Sequence, residues 1–237
     1  MKQKTDPKII IALDYADEKS AFFMVKQLSP ELCRIKIGKE LFVSSGPQLV
    51  EKITNMGFDV FLDLKFHDIP NTVAGACRAA AKLGVWMVNV HASGGLKMML
   101  AAKDAIDNTT ASNKPLLIAV TILTSLDNTA LAEIGYNKEV HAQVLHLANL
   151  TKQAGLDGVV CSPHEAQAIK QQCGNDFSLV TPGVRPKGSQ VNDQSRIMTP
   201  QQALDAGSNY LVIGRPITAS ENPLQTLEQI TKEIRNH

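Results

Sequence analysis

The residues best suited to chemistry lie in one short stretch, where two aspartates and a lysine follow a run of apolar residues. Asp63, Lys65 and Asp68 come directly after residues 58–62, a run typical of a strand buried on both sides. Alternate residues of a strand point the same way, so we expect Asp63 and Lys65 to lie together, with Asp68 just beyond, where the chain turns. Buried strands rarely carry charges unless these are paired or functional. A structural ion pair needs only two charges, so three favour a catalytic site.

Carboxylates beside a lysine determine which reactions that lysine can perform. They favour its charged form, and an ammonium donates a proton well but is a poor nucleophile for a Schiff base. If a substrate carboxylate were bound beside a fixed aspartate, its loss as carbon dioxide would relieve their repulsion. The ammonium would then stabilise and protonate the carbanion left behind. The charged stretch therefore indicates a decarboxylation.

The order of apolar runs and helix signals predicts how these residues are positioned. Eight runs are typical of strands, namely 8–14, 32–38, 58–62, 85–91, 115–121, 158–161, 178–181 and 210–213. Eight predicted helices alternate with them, namely 20–28, 46–56, 71–83, 96–106, 138–154, 164–172, 199–206 and 224–234. Eight βα units in 237 residues match a closed parallel barrel. The sequence lacks the GxGxxG fingerprint that is typical of an open dinucleotide-binding sheet. We predict an α/β fold, a single (β/α)8 TIM barrel spanning 1–237 as one domain.

Polar and charged residues recur at the carboxyl ends of the predicted strands, where barrels of this kind have their active sites. Outside the stretch at 63–68, these residues are Asp14, Lys36, His91, Thr124, Ser125, Arg185, Gly214 and Arg215. Any one of them alone could be a strand cap or a solvated loop charge. Because the strand ends of a barrel meet around one mouth, their joint placement favours a common site.

The last two loops carry the chemistry of a phosphate site. Glycines let backbone N–H groups approach an anion, and arginine offers a planar fork for two oxygens. Gly183 and Arg185 follow the seventh predicted strand, and Gly214 and Arg215 follow the eighth, where such barrels often bind phosphate. We interpret the polar segment 182–196 as a lid over the phosphate, with a disordered surface loop as the alternative.

Composition excludes several other classes of protein. The net charge is +1, from 24 basic and 23 acidic residues, which provides no basic surface for nucleic acid. No run of about 18 apolar residues predicts a membrane span, and the first residues lack the apolar core of a signal peptide. Cys33, Cys77, Cys161 and Cys173 form no CxxC pair or Cys/His cluster, so we expect neither a metal site nor disulfides. We therefore expect a soluble, cytoplasmic protein.

The string 63–72, Asp-Leu-Lys-Phe-His-Asp-Ile-Pro-Asn-Thr, resembles the signature of the orotidine 5′-phosphate decarboxylase family. The Asp-x-Lys-x-x-Asp core alone is shared with a wider superfamily that includes a keto-gulonate phosphate decarboxylase, whereas the extension to Thr72 is more specific. The resemblance covers nearly the whole chain. Further matching segments stand in the family's order, namely Asp14, Lys36-Ile-Gly, Thr124-Ser125, Pro182-Gly-Val-Arg185-Pro and Gly214-Arg215-Pro.

The resemblance implies conversion of orotidine 5′-phosphate to uridine 5′-phosphate (UMP) and carbon dioxide without a cofactor, the last step of de novo pyrimidine synthesis. It implies that Lys65 donates the proton to C6 of the pyrimidine and that Asp63 lies next to the scissile carboxylate. Lys36 and Asp68 would complete the charge array. His67 and His91 receive no catalytic role and are interpreted as structural or supporting residues.

The same resemblance implies how the rest of the substrate is held. Asp14 and Lys36 would bind the ribose hydroxyls, and Thr124 and Ser125 would contact the pyrimidine edge. The residues implied at the phosphate end are Pro182, Arg185, Gln194, Gly214 and Arg215, with Gln194 on the lid. The family is homodimeric, and Asp68 and Thr72 are implied to reach into the partner's site.

Two other functions stay open from the residues alone. One is a metal-dependent decarboxylase or epimerase of phosphosugars on the same barrel, where the acids would hold a hard cation. Lys36 and Lys65 count against it, because cations beside a metal site are unfavourable. The other is a barrel that binds pyrimidine nucleotides without catalysis. Such a protein would keep the arginines but would not need Asp63, Lys65 and Asp68.

Overall fold

Eight parallel strands close into a barrel in the computed structural model, which describes residues 6–111, 113–186 and 198–235. Each strand is hydrogen-bonded to the next in chain order, and the eighth pairs with the first. The strands are β1 (Ile9–Leu13), β2 (Cys33–Gly38), β3 (Val60–Phe66), β4 (Met87–His91), β5 (Leu116–Val120), β6 (Gly158–Val160), β7 (Ser178–Thr181) and β8 (Tyr210–Ile213). The predicted (β/α)8 TIM barrel is thereby confirmed.

Helices alternate with the strands, and three of them are additional to those predicted. The helices are α1 (Glu18–Val25), α2 (Lys39–Ser45), α3 (Pro47–Asn55), α4 (Pro70–Lys82), α5 (Gly95–Asp107), α6 (Asn128–Glu133), α7 (Val140–Gln153), α8 (Ala166–Cys173), α9 (Pro200–Asp205), α10 (Arg215–Thr218) and α11 (Pro223–Arg235). The additional helices α2, α6 and α10 are short, and all three follow the carboxyl end of a strand. Within the described ranges, no helix combines the length and apolar character needed to cross a membrane.

Strand alternation divides the buried apolar residues between two cores. Outward-facing strand residues such as Ile9 and Ile11 belong to a large core that also contains the buried faces of the helices. Inward-facing residues form a smaller cluster inside the barrel, made of Ile10, Ala12, Phe61, Met87, Ile118, Val180 and Val212. This inner cluster is an apolar floor beneath the mouth of the barrel.

Several residues at the mouth of the barrel lie two positions further along their strands than the residues of that floor. Two residues after Ala12 comes Asp14, and two residues after Phe61 comes Asp63. The same step leads from Met87 to Asn89 and from Val212 to Gly214. Because alternate strand residues share a side, the period that fills the floor also directs these positions into the mouth.

The opposite end of the barrel is closed by a buried arginine. Arg34, near the start of β2, has its guanidinium carbon 4.0 Å from the centre of the Trp86 ring and 5.1 Å from that of Tyr210. Its Nε lies 3.3 Å from Asp59 Oδ2, and Nη1 lies 3.0 Å from Asp6 Oδ1. Stacking and ion pairing compensate the burial of this charge, so the arginine has a structural role.

Candidate active site

Asp63 lies buried between two lysines at the carboxyl ends of β2 and β3. Its Oδ1 is 2.6 Å from Lys65 Nζ, and its Oδ2 is 3.4 Å from Lys36 Nζ. Lys36 Nζ is also 3.5 Å from Asp14 Oδ1, just beyond β1. The structure therefore brings four of the predicted residues into one row of alternating charges, Asp14, Lys36, Asp63 and Lys65, which we call the charge array.

The surroundings of Asp63 keep its carboxylate ionised. Burial by itself would raise the pKa of this carboxyl group. The ammonium groups of Lys36 and Lys65, with hydrogen bonds from Lys65 and Asn89, outweigh burial and lower the pKa of Asp63 below its ordinary value. The site thus holds a permanent negative charge beside an ammonium that can donate a proton.

Lys65 reaches Asp63 through an unusual backbone conformation. Its φ is 54°, the only positive φ found among non-glycine residues in the described parts of the chain. The pairing of β3 with β4 also shifts in register between Leu62 and Phe66. The expectation that Asp63 and Lys65 lie together is correct, but the reason given for it, regular strand alternation, does not hold at Lys65. A left-handed residue of this kind costs about 1–3 kcal/mol unless its surroundings hold it in place.

Asn89 on β4 provides such support, and sequence reasoning misses it. The residue is completely buried, and its Oδ1 accepts a hydrogen bond from the Lys65 backbone N–H at 2.8 Å. Its Nδ2 donates to Asp63 Oδ1 at 2.7 Å. The available signal was an amide side chain between Val88 and Val90, inside a strand that is otherwise apolar until His91.

His91 ends β4 beside the charge array and stacks loosely on His67, with ring centres 5.5 Å apart. Burial, followed by the electrostatic influence of His67, Lys39 and Lys65, lowers the pKa of His91 to about 4, against an opposing influence of Asp63. The imidazole is therefore neutral at neutral pH. A neutral ring adds no further positive charge next to Lys65.

A cavity of about 140 Å³ opens beside the charge array. Its wall combines three members of the array with apolar side chains and Thr124, and the complete lining is Lys36, Phe61, Asp63, Lys65, Val120, Ile122, Leu123, Thr124, Val160, Pro182 and Val212. Ser125 is exposed next to Thr124 and does not line this cavity. The cavity wall therefore combines apolar side chains with charged and polar groups.

The residues predicted to hold phosphate follow the adjacent strands β7 and β8. Gly183 has a φ of 80°, a conformation that favours glycine, and the Arg185 backbone N–H bonds to the Met198 carbonyl at 3.0 Å. At Gly214, a Cβ would lie 3.7 Å from Asp14 Oδ2, which places this loop next to the charge array. Gln194 and most of the predicted lid 182–196 lie outside the described residues.

Asp68 and Thr72 are not joined to the charge array within this chain. Both are exposed, and the ion pairs formed between described residues do not include Asp68. Asp68 Oδ1 accepts a hydrogen bond from the adjacent Ile69 N–H at 2.6 Å, and Thr72 lies in the first turn of α4. Ile69, between them, is 67% exposed.

The described residues contain no group of three or more His, Cys, Asp or Glu side chains arranged to hold a metal ion. The four cysteines are free and buried. Burial raises the pKa of the Cys33 and Cys77 thiols to about 12. These thiols are therefore inert core residues and do not belong to the site.

Comparison with known proteins gives a consistent result over almost the full length of the chain. Proteins named orotidine 5′-phosphate decarboxylase match from Pseudoalteromonas translucida, at 60% identity covering 96% of this chain and 97% of the relative, and from Psychromonas ingrahamii, at 57% covering 99% and 100%. A crystal structure described as orotidine 5′-phosphate decarboxylase from Lactobacillus acidophilus has a TM-score of 0.87 at 40% identity, covering 97% of this chain and 99% of that one. The family model of orotidine 5′-phosphate decarboxylase / HUMPS matches residues 7–230, and the chain belongs to this family.

Proposed function

We propose that this chain converts orotidine 5′-phosphate to UMP and carbon dioxide, with Lys65 as the proton donor. The observation that carries the proposal is the buried Asp63 carboxylate, which contacts the ammonium groups of both Lys36 and Lys65 at the wall of a cavity. In this reaction the bond between C6 and the carboxylate carbon breaks, and its electron pair stays on C6. A proton moves from Lys65 Nζ to C6, and carbon dioxide leaves.

The charges of the site suit each stage of that reaction. A substrate carboxylate bound beside Asp63 would face a negative charge that its neighbours keep ionised. As the carboxylate leaves, negative charge develops on C6, which the Lys65 ammonium stabilises without having to reorganise. Apolar residues such as Phe61 and Val212 line the same cavity and reduce the screening of these charges by water.

The opposite end of the substrate would lie against the loops that follow β7 and β8. Arg185 and Arg215 each offer a guanidinium group that can donate two hydrogen bonds to a phosphate. Gly183 and Gly214 allow the backbone to approach the phosphate. Binding at this remote end can be used to assemble the reacting end of the site. The roles of Gln194 and the lid stay predictions.

The exposed residues at the start of α4 support a homodimer in which the site is shared. Asp68 and Thr72 are exposed and are not joined to the charge array of their own chain. Ile69, the N-cap residue of α4, and Leu100, on α5, expose apolar side chains, and α4 packs against α5. A second copy of this chain would cover these side chains and bring Asp68 towards the partner's Lys65.

The proposed activity is tested by the loss of orotidine 5′-phosphate absorbance in the presence of a chelator. We expect turnover by the unmodified protein and none by Lys65→Ala, although that variant should keep its circular dichroism and still bind UMP. Lys232→Ala, which removes an exposed lysine of α11, is the matched control and should retain full activity. Near-normal turnover by Lys65→Ala would exclude Lys65 as the proton donor.

The shared site is tested by mixing two inactive variants, Lys65→Ala and Asp68→Asn. A mixed dimer contains one site with both residues intact and one with neither. Equal amounts of the two should therefore recover about a quarter of the unmodified activity after subunit exchange. If the mixture stays inactive while sedimentation shows mixed dimers, Asp68 acts within its own chain and the sharing is wrong.

A further inference from the structure

We propose that Asn89 is a positioning residue, which fixes both the carboxylate of Asp63 and the backbone of Lys65 for proton transfer. This inference rests on the proposed function, because it assigns Asn89 an effect through those two residues. The side chain forms two hydrogen bonds to neighbouring-strand groups, one through each end of its amide. It lies at the inner side of β4 and is completely buried.

The first bond sets the orientation of the Asp63 carboxylate. Oδ1 of Asp63 accepts from Asn89 Nδ2 at 2.7 Å and from Lys65 Nζ at 2.6 Å, so both donors meet at one oxygen. The second oxygen, Oδ2, is left facing Lys36 at 3.4 Å. A carboxylate held at one oxygen by a fixed amide keeps its plane when Lys65 moves its proton towards the substrate.

The second bond holds the backbone from which Lys65 projects. The Lys65 N–H points at Asn89 Oδ1, at 2.8 Å, where the β3–β4 pairing shifts register. This bond satisfies a backbone donor in the region where the ladder is irregular. It also favours the left-handed φ of 54°, which lysine would otherwise avoid. Asn89 thus fixes the backbone from which the Lys65 side chain projects, as well as the Asp63 carboxylate that the Lys65 ammonium contacts.

An amide is the side chain that meets both demands at this position. Leucine has the same branched shape, although it is larger, and it offers neither donor nor acceptor. Aspartate could still accept from the Lys65 N–H, but when ionised it would present a second carboxylate to Asp63 at hydrogen-bonding distance. Protonation shared between the two acids would restore a donor, so an aspartate here makes the geometry of the site depend on pH.

The experiment compares Asn89→Leu and Asn89→Asp with the unmodified protein in single-turnover kinetics, which separate the chemical step from product release. We expect Asn89→Leu to slow the chemical step about 10- to 100-fold, the effect of losing a hydrogen bond to a charged group. The affinity for UMP should stay within about threefold, because binding energy from the phosphate loops is unchanged. For Asn89→Asp, we expect the rate, relative to the unmodified protein, to rise as pH falls.

Asn209→Leu is the matched control at the other end of the barrel. Asn209 Oδ1 accepts a hydrogen bond from the Leu179 backbone N–H at 2.9 Å and contacts a lysine, Lys170, at 2.9 Å. The substitution removes one hydrogen bond from a backbone N–H and one from a charged group, both of them accepted by Oδ1, and should lower stability without slowing the chemical step. Equal rates for Asn89→Leu and Asn209→Leu, or parallel pH profiles for Asn89→Asp and the unmodified protein, would overturn the inference.

Failure of this inference can be distinguished from failure of the proposed function. If Lys65→Ala is inactive while Asn89→Leu keeps its rate, Lys65 is supported as the proton donor and the positioning role of Asn89 is refuted. If Lys65→Ala is active, the proposed role of Lys65 as the proton donor is wrong, whatever the rate of Asn89→Leu.

Discussion

Replacing His91 with glutamine should make the stability of this protein less sensitive to acid. In the folded protein, burial and the electrostatic influence of His67, Lys39 and Lys65 lower the pKa of His91 from 6.5 to about 4. The unfolded chain takes up this proton near pH 6.5, so between about pH 6.5 and 4 it binds more protons than the folded chain. The free energy of unfolding therefore falls as pH decreases through this window, and glutamine removes that contribution.

The size of the effect follows from the pKa values. A fall from 6.5 to about 4 corresponds to an upper limit of about 3.4 kcal/mol, at 1.36 kcal/mol for each tenfold change. The ring is half-buried, and water screens its interactions with the exposed parts of its neighbours. We therefore expect His91 to account for about 1–2 kcal/mol of the stability lost between about pH 7 and pH 4.

The assay is urea denaturation at constant protein concentration across this pH range, for the unmodified protein and for His91→Gln. Constant concentration matters because association of subunits would contribute to apparent stability. His164→Gln, at an exposed position after β6, controls for the loss of any histidine. Parallel pH dependences for the unmodified protein and His91→Gln would refute the reasoning. The same slope change in His164→Gln would show that the environment of His91 is not the cause.

Three further predictions concern the two ends of the barrel and its wall. Arg34→Met should lower the free energy of unfolding in urea by about 1–3 kcal/mol, because it breaks a partly buried ion pair with Asp59, and it should leave turnover unchanged. Gly158→Ala should cost about 3 kcal/mol or more in melting experiments, since its Cβ would lie 2.0 Å from the Ser178 carbonyl oxygen on the next strand. Arg215→Ala should lower kcat as well as raise KM, because remote binding energy supports the chemistry; unchanged turnover at saturation would count against this.

The architecture was predictable from the sequence because its signals are local and repeat. Each strand of a barrel covered by helices reads as an apolar run, and each helix carries its own start or stop signal. Asp17 and Thr199, for example, cap α1 and α9 as expected of their residue types. The bounds of β7 and β8 agree with the prediction at both ends.

The helices that were missed lack such signals or lie inside functional loops. Helix α2 starts directly from β2, with Gly38 as an N-cap that forms no side-chain hydrogen bond. Helix α10 has only four residues and begins at Arg215, which sequence reasoning assigned to phosphate binding. Helix α6 does carry a signal, because the Asp127 side chain caps it, but the polar residues around it favoured a loop.

Within the site, the sequence was sufficient to predict which residues come together, but not which other residues hold them in place. The residue types of Asp63 and Lys65, two positions apart at the end of a buried strand, led to the correct prediction that they meet, although the strand alternation assumed for it does not hold at Lys65. The left-handed φ of Lys65 was not predictable, since lysine disfavours it and only a contact from another strand stabilises it. That contact comes from Asn89, 24 residues away in sequence, so no local pattern links the two.

The two ends of the site are built differently, and the difference fits the tasks proposed for them. Asp14 and Asp63 lie two residues beyond Ala12 and Phe61 of the apolar floor, whereas Lys36 pairs with these two floor residues, so the strands determine where the charges of the array lie. Stabilisation of a developing charge requires groups that are already in place, which strand ends provide. Arg185 lies in the loop after β7, whereas Arg215 is the first residue of helix α10, directly after β8. A substrate that joins the two ends would thus meet cations beyond the ends of the strands at its phosphate and charges next to the strands where its bond breaks.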